Sequence, residues 1–440
     1  MPLASPVIVV PGITATYLRD EYTIPPDKIW TVRTFEWERG TPHPDDTSLE
    51  AIEPARVVRD QIYEICYVEL IEELRHNLRS RVDLAVPVFP FGYDWRKPLK
   101  ETEAELEQFI DEVIRRTCLM RHYVADGYPD DPKVNLVGHS MGGLIIAGCL
   151  ERLAKSRGKK TRVGKVATLA SPFQGSFEAI IKVATGTANL GASEPSSRER
   201  ETARMTPAVY HLLPSFQEGS TFAQGLPQSY FTPDVWQPSV LATLTEFVRL
   251  HAVSTRDRAQ QAAELFTGML KGAKEHRDRI DALKLSDAGL KPEDWLCVVG
   301  VDSTTRIRFE ISLNRGKPEF TLSGKDRCNH WADGKSDAER RQTGDGTVPY
   351  CGAVPKFLKE ENLVCVTPDD FGYWEVQDRA TSALAGFHGI LPNMDMLHRL
   401  IVRHFMNRPD HHGNTWGRPA PGVAPEAWEP PLKLMNKAAT

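Results

Sequence analysis

The sequence predicts an α/β fold: a mostly parallel central sheet with helices on both faces, interrupted by a lid-like loop and a helical cap. Three observations predict it. Short β-branched and apolar runs alternate with longer stretches of helical periodicity through the first 175 residues, the signature of parallel strands joined by crossover helices. One of those runs, Val134-Asn135-Leu136-Val137, flows into Gly138-His139-Ser140-Met141-Gly142 and then into helix-compatible residues. The alternation breaks near residue 176 and resumes near residue 291, as expected when an insertion divides one sheet.

Taken in order, residues 7–10 (Val-Ile-Val-Val) read as a buried strand that Pro11-Gly12 turns at once. Residues 19–60 are loop-rich, with Trp30, Phe35 and Trp37 between Pro25-Pro26 and Pro42-His43-Pro44. Such aromatics could carry apolar surface over a cleft, touch a membrane peripherally, or pack on the core of a fixed loop. The spacing of Val68, Ile71, Leu74 and Leu78 predicts a helix over 61–79, followed by a strand at 84–89. Thr102-x-x-Glu105 reads as a capping box ahead of an apolar face of Leu106, Phe109, Ile110, Val113 and Ile114. After the central run, residues 163–170 form a further strand, and the first part of the core is read as 1–175. Residues 176–290 hold a polar loop at 193–202 and a long helical region at 241–285, the cap insertion. The remainder of the core, 291–406, supplies strands at 296–300 and 363–366, a hairpin at 306–322, and a closing helix at 393–406. Six prolines in 407–440 predict an irregular tail.

Composition removes several classes of function. A net charge of −5 and the lack of a Lys/Arg-dense stripe give no polyanion-binding signature, so nucleic acid is not expected as a partner. No run approaches the 18 or so apolar residues of a membrane span. Strand 7–10 leads straight into Pro11-Gly12 and leaves no room for a signal peptide, so the expected compartment is cytoplasmic. The seven cysteines are scattered without a Cys-x-x-Cys pair, which suits reduced thiols. Cys328-x-His330 with Cys351, and His411-His412, fit no standard closed zinc site; neither metal nor cofactor is expected.

The chemistry centres on Ser140. Gly-x-Ser-x-Gly between a strand and a helix is the nucleophile elbow of α/β hydrolases, whose tight turn pushes the hydroxyl clear of the sheet. A serine hydroxyl is a weak nucleophile, so it needs a base within hydrogen-bond reach and an acid that fixes the base's tautomer. In this fold they follow in the order Ser, Asp or Glu, His. Asp345, in Gly344-Asp345-Gly346-Thr347-Val348-Pro349, is the best-placed acid. Of the late histidines, His398 and His404 fall in the predicted terminal helix and His411 and His412 in the tail, which leaves His388 as the base. The amides of Ile13, after the first strand, and Met141, after the nucleophile, are the candidate oxyanion donors.

These stretches resemble the lecithin:cholesterol acyltransferase-like family of α/β hydrolases. The resemblance is carried by Pro11-Gly12, Tyr93-Asp94-Trp95-Arg96, Gly138-His139-Ser140-Met141-Gly142-Gly143, Ser171-Pro172-Phe173-Gln174-Gly175-Ser176, Tyr210-His211-Leu212-Leu213-Pro214, Gly344-Asp345-Gly346-Thr347-Val348-Pro349, and His388 before Leu391-Pro392-Asn393. It implies a Ser140–Asp345–His388 triad, Ile13 and Met141 as oxyanion donors, Asp94 and Arg96 as a structural ion pair, and a lipid acyl ester as substrate. Residues 19–50 contain no cysteine, unlike the lid of secreted family members. The expected function is therefore a serine hydrolase or O-acyltransferase on lipid acyl esters. A carboxylesterase for other esters and a non-catalytic binding or scaffold module are the alternatives.

Overall fold

The computed structural model describes residues 3–21, 27–30, 57–155, 162–186, 197–251, 257–332, 334–410, 413 and 417–434. Six strands, β1 (Val7–Val10), β2 (Val88–Pro90), β3 (Val134–His139), β4 (Val163–Leu169), β5 (Trp295–Gly300) and β6 (Leu363–Val366), form one sheet in the order β6-β5-β4-β3-β1-β2. Every pairing in it is parallel. Every residue of β1, β3, β5 and β6 is buried. Helices cover both faces, which is why these strands read as unbroken apolar runs rather than alternating ones. This is the α/β-hydrolase fold.

The longer helices are α1 (Glu64–Asn77), α2 (Leu99–Thr117), α3 (Met141–Lys155), α4 (Phe177–Thr185), α5 (Ser197–Met205), α6 (Pro238–His251), α7 (Arg258–Asp281), α8 (Val376–Ala385) and α9 (Asp395–Met406). The first eleven residues of α3, Met141 to Glu151, are all buried, because α3 lies between the sheet and the helices α2 and α7. One apolar cluster surrounds the sheet. A second gathers Phe177 and Ile180 of α4, Tyr210, Val240 and Leu244 of α6, and Phe266 and Leu270 of α7. Ile13 and Leu212 pack against both.

Several local expectations need correcting. The buried face of α1 is Tyr67, Leu70, Ile71 and Leu74, while Val68 is 41% exposed; the apolar stripe is rotated from the one that its spacing suggested. The capping box at Thr102 is absent. Pro98, held extended at φ −57° and ψ 138°, starts α2 a turn earlier, so Thr102 lies buried inside the helix. The expected strand at 84–89 is shorter and later, Val88–Pro90. Of the region expected to be loop-rich, the described parts are strands: Thr16–Asp20 pairs antiparallel with Asp27–Trp30 and Val57–Ile62. Trp30 ends one of them, whereas Phe35 and Trp37 lie outside the described residues. The hairpin forms at Phe309–Asn314 and Lys317–Thr321, and its Phe309, Ile311 and Phe320 join the second apolar cluster.

The described part of the tail is irregular but not detached. Arg418 and Cys365 exchange backbone hydrogen bonds of 2.9 and 2.8 Å, and the Trp428 indole donates to the Leu363 carbonyl at 2.8 Å. The outer edge of β6 is thereby covered. All seven cysteines are unpaired, with Cys149, Cys297 and Cys365 buried. Among the described residues no helix is long and apolar enough to cross a membrane.

Candidate active site

From β1 the chain runs to β2 on one side, and from β3 to β4 on the other, so the carboxyl ends of β1 and β3 flank a switch point of the sheet. In open α/β sheets a crevice forms at such a point. Ser140 stands there, between the last residue of β3 and the first of α3, with φ of 53°. A non-glycine residue in the left-handed region is strained, and the surroundings hold it there. Its N–H donates to the Leu169 carbonyl at 2.9 Å, tying the elbow to the end of β4. Two residues on, a Cβ at Gly142 would sit 2.2 Å from the Val10 carbonyl oxygen, so only glycine lets α3 begin this close to β1.

His388 reaches Ser140 from the far end of the chain. Gly386, at φ 96°, turns the backbone after α8, and His388 sits in the one-turn helix Phe387–Ile390 rather than in the open loop expected from sequence. Its Nε2 is 2.9 Å from Ser140 Oγ and its Nδ1 is 2.7 Å from Asp345 Oδ2. Asp345 is 1% exposed, and its other oxygen accepts the N–H groups of Thr347 at 2.9 Å and Val348 at 2.7 Å. The Gly344-Asp345-Gly346 turn is fastened just beyond β5 by Ser303 N–H to the Gly344 carbonyl and Gly346 N–H to Thr305 Oγ1, at 2.9 and 2.8 Å. The His388 N–H also donates to the Asp345 carbonyl at 3.1 Å. The structure thus brings Ser140, Asp345 and His388 together in the hydrogen-bonded order that nucleophile, base and orienting acid require.

The remaining predicted residues border this group. Met141 opens α3, and first-turn amides of a helix have no intrahelical acceptor. Ile13 follows Gly12, at which a Cβ would lie 3.0 Å from the Ser140 Cβ, so this loop runs directly over the serine. Tyr93 and Trp95 brace the same loop, the phenol donating to the Pro11 carbonyl at 2.9 Å and the indole to the Thr16 carbonyl at 3.1 Å. Alternating with them in sequence, Asp94 and Arg96 form a buried bidentate pair at 2.9 and 2.7 Å, which suits a bracing part. His398 donates to the Pro392 carbonyl at 2.7 Å, and His404 contacts the Val166 and Pro431 carbonyls; both are buried away from Ser140. His411 and His412 lie outside the described residues, and among those described no group of three or more His, Cys, Asp or Glu is arranged to hold a metal.

Sequence reasoning missed two neighbours. His139 is 5% exposed and its Nε2 is 2.9 Å from the His388 carbonyl oxygen. Burial, and next the proximity of His388, hold its pKa well below the ordinary imidazole value. Tyr67, on the buried face of α1, has its hydroxyl 2.7 Å from His139 Nδ1. His139 stood inside the recognised motif; nothing in the sequence around Tyr67 marks it.

The model of the lecithin:cholesterol acyltransferase family matches residues 62–265, a segment that includes Ser140 but neither Asp345 nor His388. Lecithin-cholesterol acyltransferase-like 4 of Arabidopsis thaliana is 25% identical over 204 residues, covering 40% of this chain and 35% of that one, so the likeness spans about a third of the relative's length. Among solved structures, a chain of the Tle4-Tli4 complex superposes with a TM-score of 0.62 at 14% identity, over 92% of this chain and 99% of that one. Phospholipase PlaB from Legionella pneumophila aligns at a TM-score of 0.22 and 13% identity, over 62% of this chain and 65% of that one. The chain has the α/β-hydrolase fold and resembles the lecithin:cholesterol acyltransferase family.

Proposed function

We propose that the protein is a serine hydrolase or O-acyltransferase that acts on lipid acyl esters through an acyl-Ser140 intermediate. The observation that carries this is the position of His388, hydrogen-bonded to Ser140 Oγ at 2.9 Å and to Asp345 at 2.7 Å. His388 Nε2 takes the hydroxyl proton as Ser140 Oγ bonds to the ester carbonyl carbon, and the buried Asp345 carboxylate stabilises the imidazolium. The Ile13 and Met141 amides receive the oxyanion. Collapse of the tetrahedral intermediate breaks the ester C–O bond, and the alcohol leaves with the proton from His388. Water or an acceptor alcohol then gives up a proton to His388 and attacks the acyl carbon, and collapse of this second intermediate breaks the Ser140 ester bond as His388 returns the proton to Ser140 Oγ; water yields a free acid and an alcohol yields a new ester.

A lipid substrate is supported by the resemblance to lipid acyltransferases and by the apolar side chain of Ile13, which follows the Gly12 loop over Ser140 and packs against both apolar clusters. The test is turnover of p-nitrophenyl esters and of acyl-labelled phospholipid by wild type and Ser140→Ala. Loss of an oxyanion donor alone costs on the order of 10²- to 10³-fold, and loss of the nucleophile up to roughly 10⁶-fold, so Ser140→Ala should fall at least into that range. Retention of more than a few per cent of wild-type turnover would reject the reading. Labelled fatty acid against labelled sterol ester or triacylglycerol, with acceptor added, separates hydrolysis from transfer.

A further inference from the structure

We propose that Tyr67 and His139 are positioning residues, a hydrogen-bonded link that holds the oxyanion loop and the backbone of the base at a fixed separation. The proposal rests on the triad reading above. Gly12 N–H donates to Tyr67 Oη at 3.0 Å, Tyr67 Oη lies 2.7 Å from His139 Nδ1, and His139 Nε2 lies 2.9 Å from the His388 carbonyl oxygen. The chemistry of the groups fixes every proton in this path. A carbonyl oxygen only accepts, so His139 Nε2 carries the hydrogen; a neutral imidazole has one, so Nδ1 accepts; the Tyr67 hydroxyl therefore donates to Nδ1 and accepts from Gly12. Each donor meets one acceptor, with Tyr67 1% and His139 5% exposed.

The link joins the two groups that must stay in register during reaction. At one end it holds Gly12, the residue before the Ile13 amide. At the other it holds the main chain of His388, whose side chain bonds to Ser140. His139 is also the residue before the nucleophile, so a single side chain spans the elbow and the base. The two imidazoles are 5.1 Å apart. When His388 becomes cationic, a second cation at that separation would oppose it, and burial keeps His139 neutral. Tyr67 enters from α1, an element with no other part in the site.

The test compares wild type, Tyr67→Phe, His139→Phe, the double variant and Ser140→Ala in the full chain. The readouts are kcat and KM on p-nitrophenyl butyrate, with competent sites titrated by a fluorophosphonate, and thermal melts. Tyr67→Phe removes one oxygen and keeps the ring. It should lower kcat per titrated site by about 10- to 100-fold while KM changes less than about threefold, as misplacement of reacting groups does. Because both residues act through one path, the double variant should lose little more than the worse single variant. A merely structural role moves the melting temperature and the titrated fraction but leaves kcat per site at the wild-type value. That result in Tyr67→Phe, or additive losses in the double variant, would overturn the proposal. If Ser140→Ala keeps wild-type turnover, the triad reading has failed instead, whatever Tyr67→Phe does. If His139→Phe does not fold, the kcat against KM split of Tyr67→Phe alone decides.

Discussion

Asp345 divides its two carboxylate oxygens between tasks, one accepting two backbone amides and the other the His388 ring. The division makes it sensitive to a change of a single atom. In Asp345→Asn an amide NH₂ facing His388 donates where the carboxylate accepted, which moves the ring proton to Nε2 and removes the acceptor for the Ser140 proton. We expect kcat to fall by about 10⁴-fold, as in other triads with this substitution, with a thermal midpoint near wild type. Retention of a tenth of the activity in a folded variant would remove Asp345 from the role. Ser140 was legible because a glycine-flanked serine between a strand and a helix has few other reasons to exist, Asp345 because it lies in a glycine-flanked turn, and His388 because the other late histidines fall in the closing helix or the tail. Tyr67 was not, because its partner His139 lies 72 positions away and a tyrosine on an apolar helix face looks like core.

Strands were the most readable elements and helix faces the least. An apolar run has little freedom about where it goes, whereas a helix stripe is set by what packs on it. Glu103 shows why. In sequence it belongs to the polar stretch of a surface helix, yet it is 0% exposed in α2, with Arg279 of α7 donating to both its oxygens at 2.8 Å. Arg279 also bonds Glu151 of α3 at 2.9 Å, so one guanidinium clasps α7 to two core helices. No local pattern foretells a partner 176 residues distant. Arg279→Ala leaves the Glu103 carboxylate buried without its main counter-charge. Breaking a buried pair costs about 3 kcal/mol or more, so the unfolding free energy extrapolated from urea titration should fall by about that much. A shift under about 1 kcal/mol would mean that solvent reaches the carboxylate.

At the scale of the whole molecule, a parallel sheet covered by helices on both faces followed from alternation and motif position, while the order of its strands, the covering of its edge and its acid response did not. His139, His211, His276 and His398 are buried with pKa values held below the ordinary imidazole range, chiefly by burial, and His404 is lowered to about 4. Well above pH 6.5 these groups are neutral whether folded or unfolded and contribute no pH dependence. Between pH 6.5 and the folded values the unfolded chain binds protons that the folded one refuses, so stability falls as pH falls, by up to about 1.4 kcal/mol per group per pH unit. Denaturant midpoints should be level from pH 7.5 to 8.5 and clearly lower at pH 5.5; an equal midpoint at pH 5.5 would show that these rings titrate freely in the native state. The edge of β6 raises a matter of timing. Its outer hydrogen bonds are made by Arg418 and Trp428, which leave the ribosome after every strand of the sheet and after Ser140, Asp345 and His388. During synthesis a nascent chain can therefore assemble the strands of the sheet while one rim of it is still able to pair with a neighbouring polypeptide, and the interval closes only when the tail is translated.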